Sequence, residues 1–297
     1  MGSAVLSAEN TEKFFERYRN DEDEYGFNLK SCKSSEPFFR FLYEKWFDVT
    51  IVGLENIPDD GRAVLYGNHS GVLPMDGIML YDGIINDHPN PRRIRFLVNE
   101  FIRKSPGAGG IIRGFGGVPA KYEVAIDLLK KDELVFFYPE AEKGTGKLYK
   151  DRYKLVEFNP GFVKAAIETD SKLIPVVTVG GDEIYPLLGN LKPFADLIGA
   201  PYWPITPFFP LLPFPLSATP LPVKILICIG KPFELDIPKE KAEDHAVLDA
   251  EARKLRQNIQ STLDDLLLIR VNRYMKWPLQ KVQEYYDEHI VNVNMNA

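Results

Sequence analysis

The chain has 297 residues, of which 45% are hydrophobic and 26% charged, with a formal net charge of −6 at pH 7. That is a globular composition with enough apolar mass for a core, and the acidic balance, with no basic stripe among aromatics, argues against nucleic acid as a partner. Two cysteines, Cys32 and Cys228, lie far apart without ligand or pairing spacing, which argues against a metal site or disulfide scaffold and fits a reducing compartment.

The N-terminus, "MGSAVLSAENTEKFFERYRN", lacks a positive start followed by an apolar run, so no secretory signal is expected. A myristoylation reading of "MGS" fails because position six is Leu6 rather than Ser or Thr. Residues 8–47 read as helical and aromatic-rich. In "EPFFRFLYEKWF", Phe38, Phe41, Leu42 and Trp46 fall near helical spacing, which suits a helix packed on the core or one lying on a membrane surface.

From residue 48 the pattern changes. "DVTIVGLENIP" alternates as a strand, and "DDGRAVLYGNH" reads as a turn and a buried strand ending near His69. "LPMDGIMLYDGIIND" follows as a helix, with Pro74 in its first turn and an apolar stripe through Ile78, Met79 and Ile85. "RIRFLVN" is a strand and "VAIDLLKKDE" a short helix. "LVFFYPE" is an apolar run stopped by Pro139, "GFVKAAIETD" is helical, and "KLIPVVTVGG" and "VKILICIGKPFEL" are further buried strands. Strands alternating with helices predict an α/β fold, a mixed, largely parallel sheet flanked by helices, over residues 48–238. Residues 1–47 form an N-terminal helical extension and residues 239–297 a C-terminal one, the latter with an amphipathic stripe of Leu255, Ile259, Leu263 and Leu266.

An apolar, proline-rich insertion at 185–222 interrupts the domain, and from residue 197 to 223 it carries no charge. Eight prolines in that stretch forbid a membrane-spanning helix, since each removes a backbone donor. The insertion reads as a loop wrapped over the core, or as an apolar rim that dips into a bilayer or walls an acyl-chain site.

Chemistry-bearing residues gather at two strand ends. In "GNHSGVLPMDG", Gly71 and Pro74 break any continuous helix between His69 and Asp76, so a loop can fold the carboxylate back onto the imidazole. A carboxylate on one ring nitrogen fixes the tautomer and leaves the other nitrogen to take a proton from a hydroxyl. Ser70 is a poorer nucleophile candidate because sequence neighbours rarely share the needed geometry, and no G-x-S-x-G elbow occurs. The second cluster, "YPEAEKGTGKLYKDRYKL", sets Glu140 at a strand end with Lys143, Lys147, Lys150, Arg152 and Lys154 close behind. The glycine-rich "RKSPGAGGIIRGFGGVPA" matches neither a P-loop nor a dinucleotide fingerprint and reads as a segment lining the same cleft.

Together these residues resemble the glycerolipid (lysophospholipid) acyltransferase superfamily. Asn68, His69 and Asp76 look like its Asn-His…Asp motif. Tyr138, Pro139, Glu140, Ala141 and Lys143 look like its Phe-Pro-Glu-Gly…Arg motif, and "IPVV" around Pro175 is similar to its late proline-bearing strand. The resemblance implies transfer of an acyl group from acyl-CoA or acyl carrier protein, as co-substrate with no further cofactor, to a hydroxyl of a lipid acceptor. His69 would be the base, Asp76 its partner, and Asn68, Glu140, Lys143 and Lys147 would serve the acceptor. It also implies peripheral association with a membrane lipid surface on the cytoplasmic side. Six residues separate His69 from Asp76 where the family usually has four, which resembles a divergent branch related to neutral-lipid and phytyl-ester synthases. The Arg of the family's second motif is replaced by "VPAK", with Lys121 the nearest cation and Arg113 upstream, so the acceptor is a lysophospholipid, a glycerol phosphate or a neutral lipid alcohol. A non-catalytic lipid-binding protein on the same scaffold would bind liposomes without consuming acyl-CoA. A lipid esterase would release thiol without any acceptor.

Overall fold

The computed structural model describes residues 2–21, 23–69, 71, 73–105, 108–198, 203–213 and 215–290. Seven strands form one sheet: β1 (Thr50–Val52), β2 (Ala63–Gly67), β3 (Ile94–Val98), β4 (Val118–Pro119), β5 (Leu134–Phe137), β6 (Lys172–Val179) and, after the short pair β7 (Gly189–Asn190) and β8 (Pro204–Ile205), β9 (Leu226–Ile229). Their spatial order is β1-β9-β6-β2-β5-β3-β4, and every neighbouring pair is parallel except β6 with β9. The sheet is therefore mixed and largely parallel, with helices on both faces.

The period of two in β2 feeds two cores. Val64 and Tyr66 face a cluster with α6 (Tyr122–Lys130), α8 (Gly161–Thr169) and α11 (His245–Ile269), where Leu255, Ile259, Leu263 and Leu266 are buried. Ala63 and Leu65 face the opposite cluster, shared with α1 (Gly2–Arg17), α2 (Leu29–Phe41) and α3 (Met75–Asp87). Cys32 and Cys228 are free thiols in these opposite clusters.

The N-terminal helices pack on the core, but through only part of the expected stripe, Leu42 and the half-buried Trp46. Phe39, Leu42, Tyr43 and Phe47 are buried while Phe38 and Phe41 are exposed. A π-turn at Leu42–Trp46 follows α2 directly and advances the phase of the buried face. Arg40 ties this segment to α3, with Nη1 on Asp82 at 3.2 Å and Nη2 on Asp87 at 2.9 Å. Burial pushes the Asp82 carboxyl up to about 7, against the opposing pull of Arg40. The folded protein thus holds a proton on Asp82 that the unfolded chain has lost above about pH 4. Stability is expected to fall as pH rises between those values, by about 1.4 kcal/mol per unit at most. Urea midpoints across that window would check this, and Asp82→Asn should flatten the slope; an unchanged slope in the variant would show that another group is responsible.

Among the described residues, no helix is long and apolar enough to cross a membrane.

Candidate active site

The C-terminal ends of β2, β5 and β6 lie at one edge of the sheet, since these strands run parallel. At Gly67 the backbones of β2 and β6 approach so closely that a Cβ would sit 2.1 Å from the Val176 carbonyl oxygen. The next residue, Asn68, exchanges two hydrogen bonds with Thr178, donating from Nδ2 to its carbonyl at 2.9 Å and accepting from its N–H at 2.8 Å. Asn68 is buried and clamps the strand end; it is not among the residues lining the cavity described below.

This clamp fixes His69. Gly71 turns the chain at φ +80°, and Asp76 enters from the first turn of α3, as its spacing implied. His69 Nδ1 lies 3.1 Å from Asp76 Oδ2, and the Asp76 side chain is only 1% exposed. Asp76 Oδ1 also accepts the Gly77 N–H at 2.8 Å. The imidazole stacks on Tyr138, with ring centroids 3.8 Å apart and planes at 19°. Burial, then the nearby Asp76 charge, push the Tyr138 phenol far above its usual range, so this wall of the site stays neutral. No hydrogen bond to His69 Nε2 occurs among the described residues. Ser70 and Val72 lie outside the described residues.

Glu140 is fully buried beneath this pair. Its Oε1 accepts the His69 backbone N–H at 3.1 Å, and its Oε2 accepts from Val156 N at 3.0 Å and from Lys147 Nζ at 3.3 Å. Lys147 also reaches Asp182, at 3.9 Å, whose carboxylate accepts the Tyr153 N–H at 2.7 Å. Burial raises the Asp182 carboxyl, and Lys147 opposes that. Glu140 thus holds the backbone of His69 and is itself held by Lys147, and neither side chain lines the cavity. The following Ala141 sits in the left-handed region at φ +49°. Alanine thus stands in a conformation that glycine would hold free of strain.

His69 borders a cavity of about 550 Å³. Its walls come from α3 (Gly77, Ile78, Tyr81), β3 (Phe96, Leu97, Val98) and the end of β5 (Phe137, Tyr138). Besides His69 and the tyrosines, the polar lining groups are few: Asn99, Thr145 and Asn159, with Lys121 and Glu142 the charged residues. Asn99 Nδ2 donates to Glu142 Oε1, joining α4 (Glu100–Lys104) to α7 (Ala141–Thr145). Of the expected cations, Lys121 lines the cavity and Lys143 is exposed on α7. Arg113, in α5 (Ala108–Gly114), donates to the Arg103 carbonyl and does not line the cavity. Sequence reasoning missed Tyr138 as the imidazole's stacking partner, although an aromatic directly before Pro139 at the strand end was the available signal.

Comparisons with known proteins bear on this geometry. A family model described as acyltransferase matches residues 48–179. An uncharacterized protein of Mycobacterium leprae is 40% identical over 253 residues, covering 84% of this chain and 69% of that protein. The "DGAT1/2-independent enzyme synthesizing storage lipids" of Bos taurus is 25% identical over 220 residues, covering 74% of this chain and 60% of that protein. The crystal structure of the 1-acyl-sn-glycerophosphate acyltransferase of Thermotoga maritima aligns with 85% of this chain and 98% of its own at 20% identity, with a TM-score of 0.46.

Proposed function

We propose that this chain, whose residues 48–179 match the acyltransferase family, moves a fatty acyl group from a thioester, acyl-CoA or acyl carrier protein, to the hydroxyl of a neutral lipid alcohol. The observation that carries this reading is the His69–Asp76 pair at the wall of a mainly apolar cavity.

In this mechanism Asp76 holds the proton of Nδ1 and leaves Nε2 basic toward the cavity. As the acceptor oxygen attacks the thioester carbonyl, Nε2 takes its proton. The tetrahedral intermediate collapses by breaking the C–S bond, and the imidazolium returns the proton to the departing thiolate. One ester and one free thiol result, with His69 neutral again. The buried Asp76 carboxylate stabilises the transient imidazolium, and Tyr138 keeps the ring in plane with that path.

The choice of a neutral acceptor rests on charge. Lys121 is the one cation of the lining among the described residues, and Glu142 shares the lining with it. Lys147 is matched by two buried carboxylates and Arg113 by a backbone carbonyl. A phosphate monoester carries close to two charges and calls for a denser donor set. The storage-lipid enzyme among the relatives supports the same choice. An acceptor screen with labelled acyl-CoA would test it, comparing lysophosphatidate and glycerol phosphate with monoacylglycerol, diacylglycerol and long-chain alcohols. Product is expected from the uncharged alcohols. Transfer confined to the phosphate-bearing acceptors would refute the neutral-acceptor reading.

A further inference from the structure

Two stretches of unusual charge meet at the catalytic edge of the sheet. The first is the insertion, uncharged from residue 197 to 223, which leaves β6 through α9 (Gly181–Ile184) at the same edge as His69. It folds on itself through the β7–β8 pairing and through Trp203, whose ring lies 5.9 Å from Phe194 and 5.4 Å from Phe209. That packing leaves its leucines outside: Leu197 is 80% and Leu211 81% exposed, with Leu188 and Leu216 also largely in solvent.

The second stretch is 266–283, which contains no Asp or Glu but holds Arg270, Arg273, Lys276 and Lys281 in a chain whose net charge is −6. Leu266, Trp277 and Val282 of this stretch are buried, but Leu268, at 85%, Val271, Tyr274 and Met275 are exposed. The two stretches adjoin: Lys224 N donates to the Arg273 carbonyl at 2.8 Å, and the Tyr149 N–H donates to the Leu187 carbonyl at 2.8 Å while its hydroxyl accepts from Arg273. Exposed Lys150 follows Tyr149 in the chain. Arg270 is taken up by Glu183 at 2.7 Å and Lys276 faces Asp48 at 3.1 Å, so the positive character comes mainly from Arg273, Lys150 and Lys281.

We propose that these two stretches form one surface that docks onto an anionic lipid bilayer, a proposal that rests on the lipid-acceptor reading above. Separate protruding leucines interleaved with cations fit a headgroup layer, where each apolar tip enters the acyl boundary and each ammonium or guanidinium stays at phosphate depth. Docked this way, the face lies against lipid at the edge of the sheet that carries His69.

The test is co-sedimentation of the intact protein with vesicles of phosphatidylcholine alone or with roughly 30% phosphatidylglycerol. No donor or acceptor is added, so the result does not depend on catalysis. Binding is expected to be on the order of tenfold stronger to the anionic vesicles and to weaken between about 0.1 M and about 0.5 M salt. Leu197→Glu/Leu211→Glu should lose on the order of tenfold or more to both vesicle types, and Val271→Glu should repeat that loss from the other stretch. Lys150→Gln/Arg273→Gln should remove most of the anionic preference. Circular dichroism and melting of each variant establish that the exposed substitutions leave the fold intact. Equal binding to neutral and anionic vesicles, or unchanged binding by the leucine variants, would overturn the proposal. So would a concentration-dependent dimer in lipid-free solution that the same leucine substitutions abolish, which would give this face to a second copy of the chain.

Discussion

Replacing His69 by alanine is expected to lower acyl transfer by about 10²–10⁴-fold, the usual contribution of a positioned base, while the protein remains folded. The fold should survive because the ring borders an open cavity, and Asp76 keeps the Gly77 N–H at 2.8 Å when the imidazole is gone. Asp76→Asn should lower the rate by a similar order for a different reason. An amide can donate to Nδ1 and so favours the tautomer that carries its proton on Nε2, the nitrogen the reaction needs bare. Initial rates with labelled donor, beside melting curves of both variants, check this. Full activity of His69→Ala on an acceptor used by the parent protein would sink the general-base mechanism.

The second large effect is expected from Lys147→Met, and it concerns stability first. Lys147 is buried between Glu140 and Asp182, so removing its charge leaves two carboxylates with only amide donors. Breaking a buried pair of this kind costs about 3–5 kcal/mol. The loss has a pH signature. With Lys147 gone, burial and the Glu140 charge raise the Asp182 carboxyl without opposition, so the variant is stabilised by protonation and loses stability as pH rises. Denaturant midpoints at about pH 5 and about pH 7.5 should therefore diverge from the parent more at the higher value. Lys147→Met/Glu140→Gln should recover part of the loss, because an amide can still accept the His69 N–H without leaving a buried charge. A loss below about 1 kcal/mol at both pH values would mean that the three groups are not energetically linked.

The major strands were legible because each is a short apolar run ended by a Gly, Pro or Asn-His break. The parallel strands β2, β5 and β6 and the stripe of α11 follow from that alone. The reversed direction of β9 was not, since "LICI" reads identically either way. β4 and the β7–β8 pair span two residues per strand, too little for any periodicity to register. In the site, His69 and Asp76 were readable because Gly71 and Pro74 dictate a loop of the right kind between them. Asn68, Glu140 and Lys147 were expected to serve the substrate, and their partners lie within the protein: Thr178 for Asn68, the His69 N–H for Glu140, and Glu140 and Asp182 for Lys147. Position at a strand terminus and polarity are the same whether a side chain faces outward or downward. Lys147 in particular belongs to a run of cations whose other members are exposed or half-buried, and only the tertiary placement of Asp182 draws it inward.

The pair of hydrogen bonds between Asn68 and Thr178 has one more consequence. Its amide side chain does what the main chain of another strand residue would do, so the β2–β6 ladder continues one rung past the last residue of β2. In the language of native-state hydrogen exchange, the Thr178 amide is expected to open with the central sheet. The base thereby sits one residue beyond the last rung of the central sheet, and its position is set by that ladder.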